Sequence, residues 1–191
     1  MAASVWNVPN ALSLARLALA IVVCGLIEFH TYNVALVCFS IAAGTDWVDG
    51  WYARKYQQVT KLGRILDPFV DKVIIIGTMI GLCAQPDTGL DSWMVTIVAG
   101  RELLVTSLRG LVEGSGGDFS AKQLGKWKMV LQCAAIIVIL LWLITPSAPA
   151  WLYWLRTASI WGAILLTVLS GAEYVMLVQR ALRTPIDPGS K

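Results

Sequence analysis

The sequence predicts an all-α polytopic membrane protein, six transmembrane helices in one bundle, and three observations carry that reading. Hydrophobic residues make up 57% of the 191, charged residues only 14%, and the mean hydropathy is +0.68, whereas an ordinary soluble domain is about 45 to 50% apolar. The apolar residues gather into six stretches of helical-span length, separated by short polar segments. Every one of the 15 Lys and Arg except Arg156 lies in the termini, in the 2–3 and 4–5 connections, or at helix ends facing them. By the positive-inside rule those parts, and with them both termini, are cytoplasmic. No Pro/Gly/Ser-rich linker or charge block divides residues 1–191, which read as a single domain.

The elements follow in order. Asn7-Val-Pro9-Asn10 is a turn that starts a helix, because the residue before a proline avoids the helical region. Helix 1 runs from about Ala11 to Glu28. Neither a basic stretch before it nor a convincing cleavage site marks it as a signal peptide, so it is expected to be a retained span. Thr31 to Ala53 is the second span, about 33 Å long if helical. Residues 54–66 form a basic connector with Arg54, Lys55, Lys61 and Arg64, and helix 3 follows to Cys83. Gln85 to Asp91 is a polar turn. Helix 4 covers about Ser92 to Val112, and Glu113 to Gln123, with three glycines, reads as a loop. Lys126 to Ile144 is span 5, Thr145 to Pro149 an outer turn, Trp151 to Arg180 a long span 6, and Leu182 to Lys191 a loosely ordered tail. Trp93, Trp142, Trp151 and Trp154 gather near the face opposite the basic residues, as an aromatic belt does. The four cysteines, Cys24, Cys38, Cys83 and Cys133, lie in apolar runs without close pairing and read as small buried hydrophobes.

Four aspartates break this apolar pattern. Positions three, four and seven apart share a helix face, so Asp46, Asp49, Gly50 and Ala53 form one stripe at the inner end of helix 2. Asp67 and Asp71 form a matching pair on helix 3. A charge near hydrocarbon costs about 2.5 to 3.5 kcal/mol on insertion scales, so acids placed there usually face a cavity and carry function. Four carboxylates brought together by antiparallel packing of the two helices cannot all stay ionised alone and call for cations. Oxygen ligands with no His or Cys nearby favour Mg²⁺ or Mn²⁺, and two ions flanking a phosphoryl group are the economical use of the set. Gly50, Ala53 and Gly63 allow close approach of a nucleotide, and Arg54 can neutralise a phosphate. The plain alternative for Asp67-Pro68 is a helix N-cap with proline in first position, which would explain one aspartate of the four.

The pattern Asp46-x2-Asp49-Gly50-x2-Ala53-Arg54-x8-Gly63-x3-Asp67-x3-Asp71 resembles in full the signature of the CDP-alcohol phosphotransferases. The resemblance implies a six-helix membrane enzyme that moves a substituted phosphoryl group from a CDP-linked donor to an alcohol and releases CMP. Carried onto matching positions, it implies that Asp46, Asp49 and Asp67, with Asp71, hold two Mg²⁺ or Mn²⁺ ions. Asp71 is then also the base that takes the acceptor's hydroxyl proton. Asn10, Asp46, Gly50, Ala53, Arg54 and Gly63 receive the cytidine nucleotide. A homodimer, contact with membrane lipids and no nucleic-acid partner are further expectations.

The acceptor must be read elsewhere. Ala99-Gly-Arg101-Glu102 through Arg109, Leu124-Gly-Lys126-Trp-Lys128 through Gln132, and Asn7-x-Pro9-Asn10-x-Leu12-Ser13-x2-Arg16 resemble bacterial phosphatidylglycerophosphate synthases. Met129, where those enzymes usually carry Thr, and the Gly-Ser-Gly-Gly-Asp118 loop depart from that pattern. The resemblance implies CDP-diacylglycerol as donor, sn-glycerol 3-phosphate as acceptor and a site facing the cytoplasm of a bacterial inner membrane. Physical reading agrees: Glu102 and Arg109, seven apart, share a face, with Arg101 turned about 80° from Arg109. Arg101, Arg109, Lys126 and Lys128 beside the aspartates suit an anionic acceptor and are the expected phosphate-binding residues. The alternatives are other acceptors, inositol phosphate or phosphatidylglycerol to make cardiolipin, or a structural role in which Arg101 and Glu102 pair with buried neighbours and the lysines reach for headgroups. A cation transporter is the rival of another class, but the acids stay at one membrane face.

Overall fold

Pro9 in the first turn, where a missing N–H goes unnoticed, opens the first of six α-helices. The computed structural model describes residues 8–56, 63–114 and 123–183, with side chains at 11–45, 66–110 and 124–179. Among these the helices are α1 (Val8–Glu28), α2 (Tyr32–Tyr56), α3 (Gly63–Cys83), α4 (Ser92–Gly114), α5 (Gln123–Ile144) and α6 (Ala150–Arg183), and there is no strand. The helices start and stop within a few residues of the sequence reading, with one informative exception. Helix α3 begins at Gly63, so Pro68 lies inside it. Asp67 is therefore not the N-cap of that helix, and the capping alternative for this aspartate fails. The loop expected at 113–123 falls largely on residues 115–122, outside the described residues, as does the end of the tail.

Three short turns, between α1 and α2, α3 and α4, and α5 and α6, each contain one non-glycine residue in the left-handed region: His30 (φ 56°), Asp87 (φ 57°) and Ser147 (φ 56°). Such tight reversals set the helices up and down. Helices α1 and α3 run parallel, since their contacts advance together along both helices from Ser13–Asp67 and Arg16–Asp71 onward in one register. A Cβ placed on Gly77 would lie 3.3 Å from Cys24 Sγ, and one on Gly81 3.6 Å from Ile27 Cγ2. Helix α1 packs between α2 and α3, α5 joins α2 to α6, and α4 rests on α6 and α3. Val23, Ile27, Phe39, Met79, Leu82, Ile136 and Leu140 fill the centre.

Large apolar side chains are exposed on the described helices. Ile21, Leu103, Leu165 and Phe29 are 60 to 79% exposed, an arrangement that water disfavours and hydrocarbon accepts. Helices α1, α5 and α6 contain stretches long and apolar enough to cross a membrane. In α2 the apolar stretch is shorter, Tyr32–Thr45. Helices α3 and α4 each carry several charged residues, including Asp67, Asp71 and Lys72 on one and Arg101, Glu102 and Arg109 on the other. The four cysteines form no disulfide among the described residues and are partly buried, in line with their apolar runs.

Candidate active site

Helix α3 presents Asp67 and Asp71 one turn apart, and both turn toward α1. Ser13 Oγ donates to Asp67 Oδ1 at 2.5 Å, and Arg16 pairs through one terminal guanidinium nitrogen with Asp71 Oδ1 at 2.9 Å. Ser13 and Arg16 are 1% and 3% exposed. The two aspartates thus share a face, as their spacing required. Their partners, however, come from a helix that the sequence reading credited with no site residue beyond Asn10. A polar pair three apart on an otherwise apolar helix was the available signal.

The other half of the motif lies on α2. Asp46, Asp49, Gly50, Ala53 and Arg54 fall within Tyr32–Tyr56, and Gly63 opens α3, but their side chains are outside the described residues, as is that of Asn10. Among the described residues no three His, Cys, Asp or Glu side chains stand close enough to hold a metal. Asp67 and Asp71 supply two adjacent hard-oxygen donors, each bonded from α1 through Oδ1, and a carboxylate has about four acceptor sites in all. The donors on α3 therefore fit Mg²⁺ or Mn²⁺.

Next to Asp71 the chain turns basic. Lys72 bonds Thr106 Oγ1 on α4, and it lies within electrostatic reach of Glu102, Arg109, Asp71 and Arg101. Lys128, from α5 and only 5% exposed, pairs with Glu102, and Arg101 reaches the same carboxylate oxygen at 3.2 Å. Thr106 is fixed in turn by donating to the Glu102 carbonyl at 2.6 Å. Arg109 buries its Nε without a partner among the described residues. Within this group three cations, Lys72, Arg101 and Lys128, act on the Glu102 carboxylate and Arg109 lies within reach of Lys72, an excess of positive charge that an anion would balance. Lys128 is buried in an ion pair and does not snorkel; Lys126 is exposed and takes no part in these contacts. Lys72 is a basic neighbour that the sequence reading left out, although it follows Asp71 directly.

Beside Arg101 a groove of about 490 Å³ opens between α4 and α6. Ile97, Leu104, Val168 and Val175 line it, and Gly100, Gly171 and Ala172 give it width. At Gly171 the helices come close, since a Cβ there would lie 3.1 Å from Arg101 Cγ.

Residues 6–169 match the family model described as CDP-alcohol phosphatidyltransferase. The chain belongs to that family. Among its relatives is the CDP-diacylglycerol–glycerol-3-phosphate 3-phosphatidyltransferase of Bacillus subtilis (strain 168), 34% identical over 194 residues, which takes in 94% of this chain and 98% of the relative. The protein of the same name from Blochmanniella floridana is 30% identical over 93% of this chain and 94% of its own. That from Cereibacter sphaeroides is 32% identical over 71% of this chain and 64% of its own. The matched region holds all four motif aspartates and the Arg101 to Lys128 cluster, so the family assignment covers the whole candidate site.

Proposed function

We propose that this CDP-alcohol phosphatidyltransferase transfers the phosphatidyl group of CDP-diacylglycerol to sn-glycerol 3-phosphate, giving phosphatidylglycerophosphate and CMP. The relatives carrying that name support the substrates. The observation on which the acceptor rests is the position of Lys72, with Asp71 on one side and the Arg101, Glu102, Arg109 and Lys128 group on the other. An acceptor whose phosphate sat among those cations would bring a hydroxyl to the Asp71 carboxylate.

In the reaction Asp71 takes the proton of the acceptor hydroxyl as its oxygen attacks the β-phosphorus. The bond from that phosphorus to the CMP oxygen breaks, and CMP leaves with the electron pair. Asp46, Asp49 and Asp67, with Asp71, would hold two Mg²⁺ or Mn²⁺ ions, which when bound supply charge stabilisation at the phosphoryl oxygens. Asn10, Gly50, Ala53, Arg54 and Gly63 hold the cytidine nucleotide. Arg101, Arg109 and Lys128, with Lys126 at the rim, orient the acceptor phosphate, and binding in this way turns a bimolecular encounter into a positioned one. The groove between α4 and α6 is an apolar bed for hydrocarbon beside the polar site. All six helices are taken to span a bacterial inner membrane, with both termini and the site at the cytoplasmic face and two copies forming the working unit.

The test is CMP release by purified protein with CDP-diacylglycerol and Mg²⁺ or Mn²⁺, comparing glycerol 3-phosphate with inositol phosphate, inositol, serine and phosphatidylglycerol. Release supported by glycerol 3-phosphate alone upholds the reading. Preference for another alcohol would keep the chemistry and remove the acceptor assignment.

A further inference from the structure

The catalytic reading uses aspartates on α2 and α3 and leaves unexplained why α1 buries a serine and an arginine. Helix α1 contains a stretch that can cross a membrane by itself, and lipid-facing or core packing needs no guanidinium there. A charged arginine at membrane depth is costly, and an apolar side chain of similar volume packs at least as well. Arg16 nevertheless has a side chain only 2% exposed, and its partner is the carboxylate assigned as base. Ser13, one turn earlier, is bonded to the next carboxylate along α3.

We propose that α1 completes the active site, with Ser13 and Arg16 as positioning residues that hold Asp67 and Asp71 in the side-chain orientations the reaction needs. The inference rests on the phosphatidyl-transfer reading. Two contacts 54 and 55 residues apart in sequence follow one register, and the close approaches at Cys24–Gly77 and Ile27–Gly81 continue it. Helix α1 is therefore seated along several turns of α3, and its donors cannot slide relative to the carboxylates. Each donor holds Oδ1 of its carboxylate, which narrows the orientations open to the second oxygen. Arg16 also places one positive charge beside the α3 carboxylate pair, so it restrains Asp71 while lowering the repulsion between Asp67 and Asp71. That charge must also oppose cations entering the site, which separates its role from packing.

The experiment uses full-length Arg16→Met, Arg16→Lys and Ser13→Ala proteins in detergent. Mn²⁺ binding is measured by electron paramagnetic resonance without substrates, and kcat and KM come from CMP release. Thermal unfolding of each variant reports the folded fraction. Arg16→Met should bind Mn²⁺ about three- to tenfold more tightly, since a neighbouring cation is gone. Its kcat should fall about 100-fold with both KM values nearly unchanged, the scale of a misplaced base. Arg16→Lys restores the charge without the planar fork, so its Mn²⁺ affinity should return to the wild-type value while kcat recovers only in part. Ser13→Ala should lower kcat by about tenfold, the loss of one hydrogen bond to a charged group. Unchanged Mn²⁺ affinity in Arg16→Met, or a kcat loss no greater than the loss of folded protein, overturns the proposal. Wild-type protein that releases no CMP with any acceptor defeats the phosphatidyl-transfer reading instead, and the Mn²⁺ titration still reports on Arg16.

Discussion

Two buried arginines sit at opposite ends of the bundle and have been given opposite surroundings. Arg156, on α6, donates to the Asp87 carbonyl at 2.5 Å and lies over the rings of Trp142 and Tyr153, 4.3 and 5.0 Å from their centroids. Its partners are a backbone oxygen and aromatic faces, none of which changes charge or binds a substrate. Tyr32 Oη donates to Gln85 Oε1 at 2.9 Å nearby, tying the α1–α2 turn to the α3–α4 turn. Arg16, at the motif end, pairs with the carboxylate proposed as the base. The Arg156 end closes a structure, whereas the motif end keeps donors and charges in reserve. A buried arginine is thus informative only through what it touches.

Mutations at the two ends should therefore separate activity from stability. The largest effect is expected from chelation: removing divalent ions with EDTA should abolish CMP release, and added Mg²⁺ or Mn²⁺ should restore it. Asp71→Asn should lower turnover by about 10³-fold or more, within the range assigned to general bases and metal ligands, while CDP-diacylglycerol binding by calorimetry persists. Loss of binding as well would make Asp71 chiefly a metal ligand. Arg109→Ala and Lys128→Met should come next, raising KM for glycerol 3-phosphate about 10- to 100-fold, the worth of a charge-assisted contact of about 1.5 to 3 kcal/mol. A purely structural role for these two would lower the melting temperature and leave KM alone.

At the other end the expected pattern is reversed. Arg156→Met should lower stability by about 1 to 3 kcal/mol through loss of the carbonyl bond and the aromatic contacts, seen as earlier thermal unfolding in detergent. The turnover of its folded fraction should stay within about twofold of wild type, below the 1.4 kcal/mol that a tenfold change represents. Gly89→Ala should give the smallest change, a loss of about 1 kcal/mol. Gly89 has φ of +71°, and its added Cβ would lie 3.4 Å from the Arg156 guanidinium. If Arg156→Met instead lowered turnover as sharply as Asp71→Asn, the division of labour between the two ends would be wrong.

The legibility of the sequence follows the same division. Spacing alone put Asp67 and Asp71 on one face, because a turn of helix is a local rule, and apolar run length located six helices for the same reason. The motif covered the family and its chemistry, since eight residues at fixed intervals within 26 positions are read along the chain. What escaped was contact between distant segments. Nothing local tells Ser13 that Asp67 will stand opposite, and Asp67-Pro68 looks like a cap until the helix is seen to begin at Gly63. The basic residues were found, but that Lys128 and Arg101 share the Glu102 carboxylate depends on how α4 and α5 pack. Lys72 was overlooked because it stands beside a motif whose signature ends one residue earlier.

The parallel pairing of α1 with α3 has a consequence for how the chain is made. Arg16 emerges from the ribosome 55 residues before Asp71, so the first helix enters the bilayer before its counter-ion has been synthesised. Until α3 arrives, the guanidinium must reach back toward the aqueous boundary along its own flexible stem. In the proposed six-span arrangement the two helices meet only after α2 has been made, which would make the pairing of Arg16 with Asp71 an event of assembly and not of insertion. A ribosome-bound chain ending before α3 should accordingly hold its first helix loosely, and one extended through Cys83 should lock it.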